Sequence, residues 1–232
     1  MGLLRIYSRL LRKFGHRGWW PGETRFEIMV GAILTQNTNW VNVEKAIAGL
    51  KKRKMLTPSR LASADVRRIE AAIRPSGYFR QKARRLKGFA KWLVTEYNGG
   101  DMVRLCSRPL PALRRELLAL DGIGPETADS ILLYAAGKPV FVVDAYTKRA
   151  FSRIGLVKED ASYAEVQEFF EARLPKLVPL YKDYHAQVVE LGKRYCRKEP
   201  LCHECPLMKS CRTGKRKAGR HRLPARGKVQ NA

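Results

Sequence analysis

The chain has 232 residues, 45% hydrophobic and 29% charged, enough to bury a substantial core in one domain or two compact lobes. No apolar run approaches the ~18–20 residues of a membrane span, and the opening "MGLLRIYSRLLRKFGHRGWW" is broken by Arg5, Arg9 and Arg12, so it lacks a continuous signal-peptide core. Forty-six Lys and Arg against 21 Asp and Glu give a net charge of +25, which favours nucleic acid as partner over an anionic membrane surface or a salty or hot habitat as the cause.

The elements are helical in pattern. The amphipathic opening predicts a first helix. "RFEIMVGAILTQ" places Phe26, Met29, Val30, Ile33 and Leu34 on one helical face. "NVEKAIAGLKKR" continues in the same manner. "SADVRRIEAAIR" opens on Ser63, a candidate N-cap, and stops before Pro75. "QKARRLKGFAKWLVTEY" is a basic amphipathic helix ended by Asn98-Gly99-Gly100. "LPALRRELLAL" and "PETADSILLYAAG" follow, with Pro125 suited to a first helical position and Gly137 to an end. "SYAEVQEFFEARL" and "LYKDYHAQVVELGKRYC" complete the set. "PVFVV" alone has strand-like density and is too short to imply a sheet. The expected class is all-α.

Between two of these helices lies "DGIGPETAD". Gly122 and Gly124 leave room for a phosphate, and Gly122, Ile123 and Gly124 with the next helix's positive end would form an anion seat. The plain alternative is a helix–helix corner. Downstream, in "KPVFVVDAYTKRAFSRIG", Asp144 follows a buried-looking run and precedes a basic helical segment with Lys148 and Arg149. It reads as an N-cap, as a carboxylate held for water activation, or as both. Four of the five cysteines, Cys196, Cys202, Cys205 and Cys211, form a C-x5-C-x2-C-x5-C set. Such crowding suits a metal site better than disulfides, with zinc and [4Fe–4S] both open on spacing. Cys106 reads as a small core residue.

Taken together, "GAILTQNTNW", "GYFRQKARRLK", Leu120-Asp121-Gly122-Ile123-Gly124, Thr127-Ala128, Val143-Asp144 and the cysteine set resemble the helix-hairpin-helix DNA glycosylases of the endonuclease III superfamily. The resemblance covers nearly the whole chain up to Cys211. It implies two helical lobes around a DNA-binding cleft: 23–139 carrying the hairpin, and 1–22 with 140–211 bearing the cysteine loop, followed by 212–232 as a basic disordered tail adding non-specific DNA affinity. It implies double-stranded DNA with a flipped damaged base as partner, Asp144 as the catalytic carboxylate, and [4Fe–4S] at the four cysteines, with zinc the minor alternative. The first cysteine interval is one residue shorter than the family's. A cytoplasmic, nucleoid-associated monomer of a prokaryote without membrane attachment is expected.

Two further readings come from within the family. Members that cut the strand carry a lysine after the hairpin, where this chain has Glu126 behind Pro125. A carboxylate forms no imine, so a monofunctional glycosylase that leaves an intact abasic site is expected. Trp19, Trp20, Pro21 and Trp40, which could equally be core residues, resemble the base-stacking set of the bacterial 3-methyladenine branch. Gln36 or Asn37 would touch the flipped nucleotide or wedge the gap, and Lys148 would bind DNA. An alkylated purine is cationic and suits such an aromatic pocket through cation–π attraction of ~0.5–2 kcal/mol. The alternatives are an endonuclease III-like glycosylase and lyase or mismatch glycosylase on pyrimidines, a non-catalytic DNA-binding damage sensor, and a zinc-bearing RNA-binding protein.

Overall fold

The computed structural model describes residues 2–220 and contains no strand among them. The helices in chain order are α1 (Leu3–Phe14), α2 (Arg25–Leu34), α3 (Trp40–Lys52), α4 (Pro58–Ser63), α5 (Val66–Ile73), α6 (Phe79–Glu96) and α7 (Met102–Ser107). They continue with α8 (Leu110–Leu118), α9 (Pro125–Ser130), α10 (Ala145–Ile154), α11 (Tyr163–Glu171), α12 (Val178–Arg194) and α13 (Arg212–Arg220). The expected all-α class holds, and "PVFVV" is buried irregular chain rather than a strand.

The chain divides into two compact units, one of residues 18–142 with 176–182, the other of 1–17, 143–175 and 183 onward. In the first, α2 is buried all round, with Phe26, Met29, Val30, Ala32, Ile33 and Leu34 in the core. Thr24 fixes its start by accepting from Glu27 N at 3.1 Å, and Asn39 does the same for α3 through Asn42 N at 3.0 Å. Ser63 is not the cap of α5. It closes α4, its hydroxyl donating back to Ser59 O at 3.0 Å, while Asp65 accepts from Arg67 N at 2.8 Å. A carboxylate two residues nearer the helix reaches its free amides, and the serine cannot. α6 buries Leu86, Phe89, Ala90 and Leu93 and stops where Asn98, Gly99 and Gly100 all take positive φ.

The second unit packs α1 through Leu3, Ile6 and Leu10. Tyr184 donates to Leu3 O and Tyr7 to Asp183 Oδ2, both at 2.8 Å. Phe151, Phe170 and Tyr184 form an edge-to-face cluster, with centroids 4.6 Å apart for the first pair and 5.8 Å for Phe170–Tyr184. A full capping box, Ser162 with Glu165, starts α11. The expected disordered tail begins too early at 212, because Arg212–Arg220 is helical. The segment has no apolar face to announce a helix. It docks through backbone closeness at Gly214, which is buried. The rest of that expected tail, 221–232, lies outside the described residues.

Candidate active site and cysteine cavity

In the hairpin-bearing unit, the two glycines of "DGIGPETAD" do different work. Gly122 has φ +71°, and a Cβ there would overlap Arg85 Nε, so the group pressed against it is the protein's own guanidinium. Gly124 opens α9 at φ −87°, and nothing stands within 4 Å of where its Cβ would be. Room for an outside anion therefore lies at Gly124. Ile123 is buried and its amide is already donated to Leu120 O at 3.1 Å, so its side chain offers DNA little.

Gln36 reaches this hairpin from the turn after α2. Its Nε2 donates to Gly122 O at 2.9 Å and to Thr127 Oγ1 at 3.0 Å, while its Oε1 accepts from Arg85 at 2.7 Å. The amide is thus fully engaged in holding the hairpin. Asn37 beside it is exposed, at φ +53°. Lys82, one helical turn before Arg85 and 1% exposed, donates to Leu34 O at 2.9 Å and Ser76 O at 2.7 Å. Burial, helped by the Arg85 charge, brings its amine down to about 8. Lys82 and Arg85 were hidden in the sequence within a run that reads as a basic surface. Their only signal was their place in "GYFRQKARRLK", two basic residues on one helical face.

Trp19, Trp20 and Trp40 do come together. Centroids lie 4.7 Å apart for Trp19–Trp40 and 5.3 Å for Trp20–Trp40, the latter at 90°. Tyr134 joins Trp20 at 5.1 Å. The rings meet tilted or edge to face, so they do not stand as two parallel walls. Gly31 admits the cluster, since a Cβ there would sit 3.1 Å from Trp20 Nε1. Trp20 Nε1 is buried without a hydrogen-bond partner, whereas Trp40 Nε1 donates to Glu44 at 2.8 Å. Pro21 is exposed and lines a separate opening with Trp40 and Lys51.

In the other unit, Asp144 caps α10 and is 9% exposed. Its Oδ1 accepts from Thr147 N at 2.7 Å and Thr147 Oγ1 at 2.8 Å. Its Oδ2 faces His185 Nε2 at 3.6 Å, and that histidine is buried too. Burial alone would raise the Asp144 carboxyl; the His185 imidazole and the Thr147 donors outweigh it and hold the group below the ordinary carboxylate range. Val142 and Val143, each 1% exposed, anchor the chain leading into it. The result is a carboxylate kept ionised and aimed by its own helix. Lys148 sits half-buried one turn on, near Glu165.

Cys196, Cys202, Cys205 and Cys211 line one small cavity, together with Arg153, Met208, Thr213 and Gly214. Arg153 Nη1 donates toward Cys196 Sγ at 3.7 Å, and its guanidinium also holds Arg197 O and Lys198 O. Arg149 secures Cys196 O at 2.7 Å. Burial pushes the Cys205 thiol up to about 11 and raises Cys202 as well. Among the described residues, no three His, Cys, Asp or Glu side chains are gathered as ligands of a single metal ion. Four thiols facing one small cavity, with a guanidinium beside one sulfur, are the donor set and charge balance of an anionic cluster.

An all-helical chain with a glycine hairpin, a helix-capping aspartate and a four-cysteine cavity defines a class, and comparison with known proteins gives it a name. Residues 30–176 match the HhH-GPD superfamily of base excision DNA repair proteins. A protein of Methanocaldococcus jannaschii named as a DNA repair glycosylase is 48% identical over 90% of this chain and 95% of its own length. Endonuclease III of Thermotoga maritima is 32% identical over 89% of this chain and 88% of its own. Among solved structures, a non-covalent endonuclease III–DNA complex superposes with TM-score 0.78 at 26% identity, covering 94% of this chain and 97% of that one. The H. pylori 3-methyladenine DNA glycosylase bound to 1,N6-ethenoadenine gives 0.73 at 29% identity, covering 84% and 98%. The chain belongs to the HhH-GPD superfamily of base excision DNA repair proteins. With that membership goes its coarse activity, that of a DNA glycosylase.

Proposed function

We propose that the chain is a monofunctional glycosylase, hydrolysing the N-glycosidic bond of a damaged base flipped out of duplex DNA and leaving the strand intact. One observation carries this reading: a buried, ionised Asp144 is aimed by Thr147 and His185, while Glu126 stands where an imine-forming lysine would be. As the glycosidic bond lengthens, positive charge builds on the sugar. A fixed carboxylate in a low-dielectric setting stabilises that charge and accepts a proton from the attacking water. Glu126 offers no amine to the resulting aldehyde.

DNA is the partner by charge, since +25 on 232 residues supplies sequence-independent phosphate affinity, and the open face at Gly124 gives one phosphate a seat. Cys196, Cys202, Cys205 and Cys211 would hold a [4Fe–4S] cluster, for which four thiols lining one cavity are a fitting donor set. When bound, the cluster supplies a structural anchor; hydrolysis of a glycosidic bond needs no electron from it. Arg149 and Arg153 tie its loop to α10.

The substrate we favour is an alkylated purine, supported by the gathered tryptophans and by the likeness to the 3-methyladenine enzyme. Because Trp19 and Trp40 pack edge to face against each other, admitting a base between them requires one of the two to swing away. The second reading, a pyrimidine glycosylase, is favoured by the likeness to endonuclease III. Duplexes carrying 3-methyladenine, 7-methylguanine, thymine glycol and a T·G mismatch, each scored for released base, separate the two. Release of the methylated purines is expected, and release of thymine glycol alone would overturn the substrate assignment.

A further inference from the structure

The segment following the last cysteine is not used by the glycosylase reading, yet it forms a wall of the cysteine cavity. Lys215 N donates to Cys211 O at 2.9 Å, so α13 starts directly from the fourth cysteine. Thr213 and Gly214, from its first turn, line the cavity alongside all four cysteines. Gly214 lies so close to the turn before Cys211 that a Cβ would stand 2.7 Å from Met208 O and 3.0 Å from Met208 Cα. Both are backbone atoms that cannot swing aside. On the opposite side, Arg212 rests against α10, its Cβ and Cδ 3.4 Å from where a Cβ on Gly155 would be. A short polar helix with no apolar face is thus seated by backbone contact.

We propose that α13 is a cover for the cluster site, closing the side of the cavity that the cysteine loop leaves open and slowing the escape of iron. This rests on the iron–sulfur reading of the four cysteines. Its sequence, "RTGKRKAGR", fits the task on both counts. The small residue falls at the point of closest approach, and Arg212, Lys215 and Lys217 bring positive charge to a site whose four thiolates would outweigh the charge of the iron–sulfide core. A solvent-facing helix would gain nothing from glycine in its first turn, since alanine is the better helix former.

The test is anaerobic incubation of the full chain with excess ferrous-iron chelator, followed by visible absorbance and chelated iron, with hydrogen exchange of the α13 amides alongside. Wild type should hold its iron. Gly214→Val, which drives a branched side chain into Met208, should free the α13 amides and speed iron loss at least tenfold. Gly214→Ala serves the same purpose if the valine variant does not fold. Arg216→Gln, at an exposed position, should leave α13 protected and iron loss within threefold of wild type. Freed α13 amides with unchanged iron loss would overturn the proposal, as would α13 amides that stay protected in the glycine variants. A colourless, iron-free wild type would instead overturn the cluster reading on which the proposal rests.

Discussion

Replacing Asp144 by asparagine separates its charge from its shape. Asparagine and aspartate are equally good N-caps, so the side-chain oxygen still accepts from Thr147 N and Oγ1, now 2.7 and 2.8 Å from Oδ1. What goes is the negative charge facing His185 at 3.6 Å and, in the reaction, facing the sugar. Losing that charge also removes its burial cost, so folding stability should move by less than about 1 kcal/mol, or about 2–4 °C in Tm for a chain of this size. The rate should move far more. A carboxylate about 4 Å from a developing cation, at an effective dielectric of about 20, contributes about 4 kcal/mol, which is about a thousandfold in rate. Single-turnover release of 1,N6-ethenoadenine or 7-methylguanine from a labelled duplex, with DNA affinity and thermal unfolding measured on the same samples, reads both quantities. Because the carboxyl sits below its ordinary range, its share of stability is complete above about pH 4 and is lost as pH falls through the lower folded value. Wild-type release should therefore show no acid limb from Asp144 between about pH 5 and 8. Asp144→Asn retaining release within tenfold of wild type would refute the reasoning.

Other outcomes follow from the same geometry. Gly122→Ala should lower stability by about 2 kcal/mol, from left-handed strain and overlap with Arg85, as read by denaturant unfolding. Gly124→Ala should cost under about 1 kcal/mol and instead weaken DNA binding at fixed salt, since its Cβ would point into the open seat. Lys82→Met strands the carbonyls of Leu34 and Ser76 and should cost about 2–4 kcal/mol in urea unfolding. Glu126→Lys should yield a borohydride-trapped DNA adduct on denaturing gels that wild type does not form.

The helices, the hairpin and Asp144's capping position were legible because they rest on local rules: apolar spacing, glycine at positive φ, and a carboxylate before a helix. What escaped the sequence depends on partners distant in the chain. Gln36 reads as a residue offered to DNA, yet its amide is spent on Gly122, Thr127 and Arg85. Lys82 reads as surface charge, although buried carbonyls 48 and 6 residues away claim it. Trp19, Trp20 and Trp40 read as one stacking set, but no local rule shows that Gly31 makes room for Trp20 or that Tyr134 joins it. α13 lacks any apolar period, so nothing local marks it as a helix.

The central claim is that Asp144 and water release the base while the strand survives. Mass spectrometry of the lesion strand after complete base release, without alkali or heat, tests it most directly. A full-length strand lighter only by the exchange of the base for hydroxyl is expected; β-eliminated fragments would contradict hydrolysis by water alone.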